Sequence, residues 1–222
     1  MPSLPGISIR GDEMTKKETV YPRWRAGRVV LLAAFVILIA GPPCAAQSKD
    51  GELEKSDPAR NYFTDVELIN QDGKPMRFYS DLLKDKVVII NTFFTTCTSV
   101  CPPMSRNLQQ IQTWLGDRLG KDVHIISISV DSATDTPPRL KDYAGKYKAK
   151  PGWFFLTGKK ENAEFALRKI GQFVESRDDH STVIIIGSLH TGLWKKAMGM
   201  AKPEDLIKIV ESVLEDKPGN VK

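Results

Sequence analysis

The chain has 222 residues, with 32 Lys/Arg against 27 Asp/Glu, 41% hydrophobic residues and three cysteines. Six of the basic and three of the acidic residues lie in the first 46 positions, so the formal charge of +5 falls to about +2 beyond them. The basicity therefore belongs to the N-terminal segment, which leaves nucleic-acid recognition without support, and the remaining 176 residues suit one domain with a sizeable core.

Residues 29–40, VVLLAAFVILIA, form an uncharged apolar run behind Arg23, Arg25 and Arg28 and ahead of GPPCAAQ, the three-part layout of an export signal. Small residues at Cys44 and Ala46 suit cleavage before Gln47. The alternatives are an uncleaved membrane anchor through residues 29–40 and a buried soluble helix; the run is short of the about 20 apolar residues a spanning helix needs. Gly41-Pro42-Pro43 makes Cys44 a poor lipid-attachment site, and Met14 is an alternative start. Signal and anchor both imply an exported domain, periplasmic or anchored to the membrane facing the periplasm. Residues 47–60 carry almost no apolar side chains and read as a flexible linker, followed by a domain over 61–216 and a tail over 217–222.

Tyr62 to Ile69 and Met76 to Tyr79 flank Asn70-Gln71-Asp72-Gly73 and predict a β-hairpin. Val87 to Phe94 is nearly continuous in Val, Ile and Phe, the pattern of a central strand buried on both faces. Met104, Leu108, Ile111, Leu115 and Leu119 recur at helical spacing after Pro102, predicting a helix over 102–119. Val123 to Val130 is a second buried strand, and Thr136-Pro137 opens a helix whose apolar stripe is Leu140, Tyr143, Ala144 and Tyr147. A strand over Trp153 to Leu156, a helix over 160–171, a strand over Val183 to Ile186 with a hairpin partner over Leu193 to Met198, and a helix over Pro203 to Leu214 follow. Strands alternating with helices indicate an α/β sandwich with a mixed central sheet flanked by helices.

Cys97 and Cys101 stand where the first buried strand gives way to a helix. Unpaired N–H groups and the helix dipole favour a thiolate there. Their spacing lets two sulfurs converge on one soft metal ion or close a disulfide. A purely structural bridge over so small a loop would remove little unfolded-state entropy. Of the three histidines, His124 lies inside a buried strand and reads as a core residue, while His190 falls in a hairpin loop and reads as surface. His180 follows Arg177-Asp178-Asp179 at the mouth of a strand, where a surface residue and a third ligand are equal readings.

From about Tyr62 to Leu214 the chain resembles the Sco/SenC family of thioredoxin-fold copper proteins. The matching segments are CTSVCPPM at 97–104 with its preceding strand, SVDSATDTPPRLKDYA at 129–144, PGWFFLTG at 151–158 and DHS at 179–181. The resemblance implies a thioredoxin-like sandwich with an N-terminal β-hairpin extension, and copper, Cu(I) or Cu(II), held by Cys97, Cys101 and His180. It also implies a metallochaperone that serves the copper-bearing subunit of cytochrome c oxidase or another copper acceptor, with a thiol reductant as a second partner. Asp131 and Asp135 match acidic positions of the family's aspartate-bearing loop, which gives them a supporting role beside the site; the plain reading is a pair of turn residues. Thiolates favour Cu(I), and an imidazole completes a site that also holds Cu(II), although zinc accepts the same ligands.

The competing reading is a thiol-disulfide oxidoreductase acting through Cys97 and Cys101 on the cysteines of a copper acceptor. Three intervening residues, against two in familiar thioredoxin-type enzymes, rank it second. A peroxidase lacks its Pro-x-x-x-Thr-x-x-Cys arrangement here, and a pure interaction domain would need the cysteines to stay oxidised. Gly187-Ser188-Leu189-His190-Thr191-Gly192 departs from the aspartate-rich turn of many relatives, which bears on the partner-facing surface and leaves the ligands untouched.

Overall fold

The computed structural model describes residues 57–218, so the predicted leader, Cys44 and most of the predicted linker lie outside the described residues. The described end of that linker is not a flexible tether. Asp57 caps a short helix, α1 (Pro58–Phe63), its Oδ1 accepting from the N–H groups of Ala59 at 3.0 Å and Arg60 at 3.3 Å. Asp57-Pro58 is a helix start, a capping acceptor followed by a residue with no N–H to lose, which the polar composition of the segment conceals. The predicted first strand is shorter for the same reason, since Tyr62 and Phe63 complete α1.

Strands β1 (Glu67–Asn70) and β2 (Pro75–Arg77) form the expected hairpin, with Asn70 Oδ1 accepting from the N–H groups of Asp72 and Lys74 in the turn. Phe78–Leu83 then coils into a π-helical turn that buries Phe78, Leu82 and Leu83 on one side. The predicted continuation of β2 through Tyr79 therefore ends at Arg77. The larger strands are β3 (Val87–Phe93), β4 (Val123–Ser129), β5 (Trp153–Thr157), β6 (Val183–Ser188) and β7 (Trp194–Met198). They join β1 and β2 in one mixed sheet of order β2-β1-β5-β4-β3-β6-β7. β3–β4 and β4–β5 are parallel and every other neighbouring pair is antiparallel. The N-terminal hairpin extends this sheet, because β1 pairs with β5.

Helices α2 (Cys101–Leu115), α3 (Pro137–Lys146) and α5 (Pro203–Leu214) contribute to one apolar cluster, and α4 (Lys160–Lys169) to a second. β3 serves both: Ile89 and Phe93 belong to the first cluster, Val88 and Ile90 to the second. This is the period-two alternation of a strand covered on both faces. Each such side chain contributes about 1.5–3 kcal/mol through burial, which fixes the strand's register against its neighbours. At the far end of β6, Gly187 faces Trp194, and a Cβ there would lie 2.3 Å from the indole ring. Among the described residues no helix is long and apolar enough to cross a membrane.

The topology brings three chain ends together. β3 and β4 run parallel, so both release their chains at one edge of the sheet, β3 toward the cysteines and β4 toward Asp131. β6 runs against β3 and therefore begins at that same edge, with His180 just ahead of it. Crevices at the carboxyl ends of parallel strands are where open α/β sheets place their ligands.

Candidate metal centre

The two sulfurs are set by the start of α2. Of the first four helical positions, Pro102 and Pro103 have no N–H, and the Met104 N–H donates to the Val100 carbonyl at 3.2 Å. The remaining donor, the Cys101 N–H, points at Cys97 Sγ at 3.4 Å. Val100 offers no side-chain cap, so the Cys97 sulfur is the acceptor that satisfies this helix end. Cys101 is fully buried and Cys97 is 7% exposed, and both are free thiols.

The same corner is braced from β4. Asp135, 1% exposed, accepts from the Thr95 N–H, the Thr95 hydroxyl and the Ser129 hydroxyl. Thr95 lies two residues ahead of Cys97, so this buried carboxylate holds the entry to the cysteine loop. Asp131 is a turn residue, accepting from the Thr134 N–H at 3.3 Å, and it also pairs with the Arg177 guanidinium. Burial alone would raise the Asp131 carboxyl; hydrogen bonds from Arg177 and Thr134 and the positive charge of Arg177 hold it below its ordinary value.

His180 ends a short 3-10 turn over Arg177–Asp179, half-buried at the mouth of β6. Its backbone N–H and its ring Nδ1 both lie on the Arg177 carbonyl, at 3.2 and 3.0 Å. A carbonyl only accepts, so Nδ1 carries a proton, and in the neutral ring Nε2 keeps its lone pair. That Nε2 sits 3.2 Å from Cys101 Sγ and 3.9 Å from Cys97 Sγ. The Phe94 ring packs edge-on against the imidazole at a centroid distance of 5.0 Å.

Sγ of Cys97, Sγ of Cys101 and a ring nitrogen of His180 all lie within 4.8 Å of one another, the one such cluster of three among the described residues. With metal–sulfur bonds of about 2.3 Å and metal–nitrogen bonds of about 2.0–2.1 Å, a sulfur and a nitrogen ligand of one ion stand at most about 4.4 Å apart. The sulfur–nitrogen distances of 3.2 and 3.9 Å fall inside that span. The thiols are unequal. Burial pushes Cys97 up, but hydrogen bonds from the Cys101 thiol and the Cys101 and Ser99 backbone more than offset it and leave the group below its ordinary value. Burial, reinforced by the hydrogen bond to Cys97, pushes Cys101 well up. A Cys97 thiol more acidic than usual beside a Cys101 that holds its proton more tightly suits a nucleophile with a resolving partner, or a ligand pair that releases protons on taking up a cation.

Within 54–215 the sequence matches the family model described as SCO1/SenC. The chain belongs to the SCO1/SenC family. A relative named SCO1 protein homolog, from Bacillus subtilis (strain 168), is 35% identical over 137 residues, covering 60% of this chain and 69% of its own length. Among solved structures, BsSco, titled a member of the Sco family of cytochrome c oxidase assembly proteins with a disulfide switch, aligns at 31% identity and a TM-score of 0.55. That alignment covers 66% of this chain and 90% of BsSco. Arabidopsis thaliana ScoI, solved with copper bound, aligns at 25% identity and a TM-score of 0.57, covering 67% of this chain and 95% of its own. The expected thioredoxin-like sandwich with a mixed sheet is the fold these structures share with it.

The other histidines are where the sequence put them. His124 is 6% exposed, with Nδ1 on the Leu82 carbonyl at 3.0 Å, and His190 is exposed at the opposite end of β6. The departure at Gly187–Gly192 also lies at that far end. Arg177 and Phe94, which frame the imidazole, carry no sequence signal of that role: Arg177 and Asp131 are 46 positions apart in unrelated loops.

Proposed function

We propose that the protein is a copper metallochaperone that carries one copper ion between Cys97, Cys101 and His180 and delivers it to the copper centre of cytochrome c oxidase. The observation that carries this reading is the convergence of two sulfurs and an available imidazole nitrogen at one sheet edge. Soft sulfur donors select Cu(I), and the imidazole suits either copper oxidation state. The copper in Arabidopsis thaliana ScoI and the assembly role given to BsSco support the cargo and its destination. Release by ligand exchange would start from the half-buried His180 side and end at Cys101, the fully buried ligand. The leader-like segment supports an exported protein, periplasmic or anchored to the membrane facing it, with a thiol reductant keeping the pair reduced.

Titration of the reduced full-length protein with Cu(I) against a competing chelator tests this. One tightly held ion per chain is expected, with affinity sharply weakened in His180→Ala; unchanged affinity in that variant would remove His180 from the ligand set. A second reading, thiol-disulfide oxidoreductase, is favoured by the unequal thiols. The Cys97 thiolate would attack an acceptor disulfide, and Cys101 would lose its proton and resolve the mixed disulfide. Two electrons would pass to the acceptor as Cys97–Cys101 closes, and the acceptor's two sulfurs would take up the Cys101 proton and one from solvent. Weak copper binding together with rapid disulfide exchange would place this reading first.

A further inference from the structure

We propose that Arg177 is the positioning residue of this centre: its side chain latches the 177–180 turn onto the Asp131 loop and thereby fixes the orientation and tautomer of the His180 ring. The consequence for metal affinity rests on the copper reading above, whereas the latch itself does not.

Arg177 acts on His180 from both its backbone and its side chain. The Arg177 carbonyl accepts from the His180 N–H at 3.2 Å and from ring Nδ1 at 3.0 Å. Its guanidinium donates to Asp131 Oδ2 and lies 5.3 Å from the centroid of Phe94, the ring that packs edge-on against His180. Asp131 is a firm anchor, with its side chain 11% exposed and held in its own turn by the Thr134 N–H. The next buried carboxylate, Asp135, ties that loop to Thr95 ahead of Cys97. A closed circuit results, running from the cysteine corner through Asp135 and Asp131 to Arg177 and back to the imidazole.

The turn is also held by the Asp179 N–H on the Ser176 carbonyl at 3.0 Å and by the Thr92 hydroxyl on the Ser181 carbonyl at 3.3 Å, neither of which touches the ring. Asp178 and Asp179 are exposed, and Ser176 Oγ accepts from the Asp178 N–H only at 3.4 Å. Arg177 is itself 46% exposed, and an exposed ion pair adds little to global stability. Its value is local: an imidazole whose far nitrogen is fixed presents the near one as a ready ligand, and losing such a support costs about 10–100-fold in metal affinity. Lysine would keep the charge but not the planar fork or the ring contact.

Two-bond ¹H–¹⁵N correlation of the reduced, metal-free full-length protein, with the ring held neutral, tests the latch without copper. A single Nδ1–H tautomer is expected in the native chain and a mixture in Arg177→Gln and Asp131→Ala, with Arg177→Lys between. A single Nδ1–H tautomer retained in both Arg177→Gln and Asp131→Ala would overturn the proposal. Cu(I) competition adds a second arm: Arg177→Gln should weaken binding about 10-fold beside His180 and not at all in a His180→Ala background. Equal losses in both backgrounds would show that Arg177 does not act through His180, and would also overturn it. Failure of the native chain to bind copper would count against the metallochaperone reading, while the ring measurement still decides the latch.

Discussion

Cys101 is fully buried on the first turn of a 15-residue helix, whereas His180 is half-buried and closes a turn of three residues. The sulfurs inherit their positions from the core: moving them means moving β3 or α2, each packed by fully buried side chains. The nitrogen is placed by a handful of hydrogen bonds and one exposed ion pair, contacts that open at low cost. On the metallochaperone reading, affinity would reside in the rigid half and exchange would be governed by the half that can yield. A carrier would need both, since a site rigid throughout would hold its cargo too well to pass it on.

Substitutions that strike one half alone break this division most directly. Cys97→Ser and Cys101→Ser should each abolish tight Cu(I) binding and disulfide exchange together, because oxygen replaces a soft donor; chelator competition and a dithiol exchange assay read the two losses. Substantial Cu(I) binding in either variant would show that the sulfurs are not the dominant half. Next in size, Asp135→Ala strips the cysteine corner of a buried acceptor of three donors and should cost about 3 kcal/mol in urea unfolding. A loss below about 1 kcal/mol would mean the corner is held from elsewhere. His180→Ala should weaken Cu(I) by more than the about 10–100-fold that loss of a ligand's outer partner costs, while leaving unfolding midpoint and dithiol exchange near native, the mark of a ligand on a yielding turn. A comparable fall in stability would make the two halves equally structural.

The smallest effect concerns the tie between the halves. Asp131 has a folded pKa below its unfolded value of about 3.9, so it contributes stability above that pH and loses the contribution as pH falls through the folded value. Asp131→Asn should therefore flatten the acid limb of a urea-midpoint series between pH 6 and pH 2. Superimposable acid limbs for the two proteins would remove Asp131 from the linkage.

Strand and helix order was legible because each apolar run has the period of its element: β3, β4 and α5 lie within a residue of where the pattern puts them. α1 was hidden because six residues are too few to show a period, and its cap looks like one more polar residue in a polar stretch. The π-helical turn at Phe78–Leu83 was hidden because its apolar residues also suit the end of a strand. At the site, the cysteines could be read from their place at a strand–helix junction, and His180 from its neighbours only with the help of the family resemblance. Arg177 and Phe94 could not, since what they do depends on which loops the sheet brings side by side.

Pro102 and Pro103 have an effect on what the site can admit. A helix start normally presents several free N–H groups, and such an end attracts phosphate, carboxylate or halide. Here two of those donors are missing and the other two are already engaged, by the Val100 carbonyl and the Cys97 sulfur. An anion arriving at α2 finds fewer free donors than a helix start usually offers. The double proline thus thins the backbone donors that would hold a competing anion at this helix end, while the sulfur and imidazole lone pairs stay available to a cation.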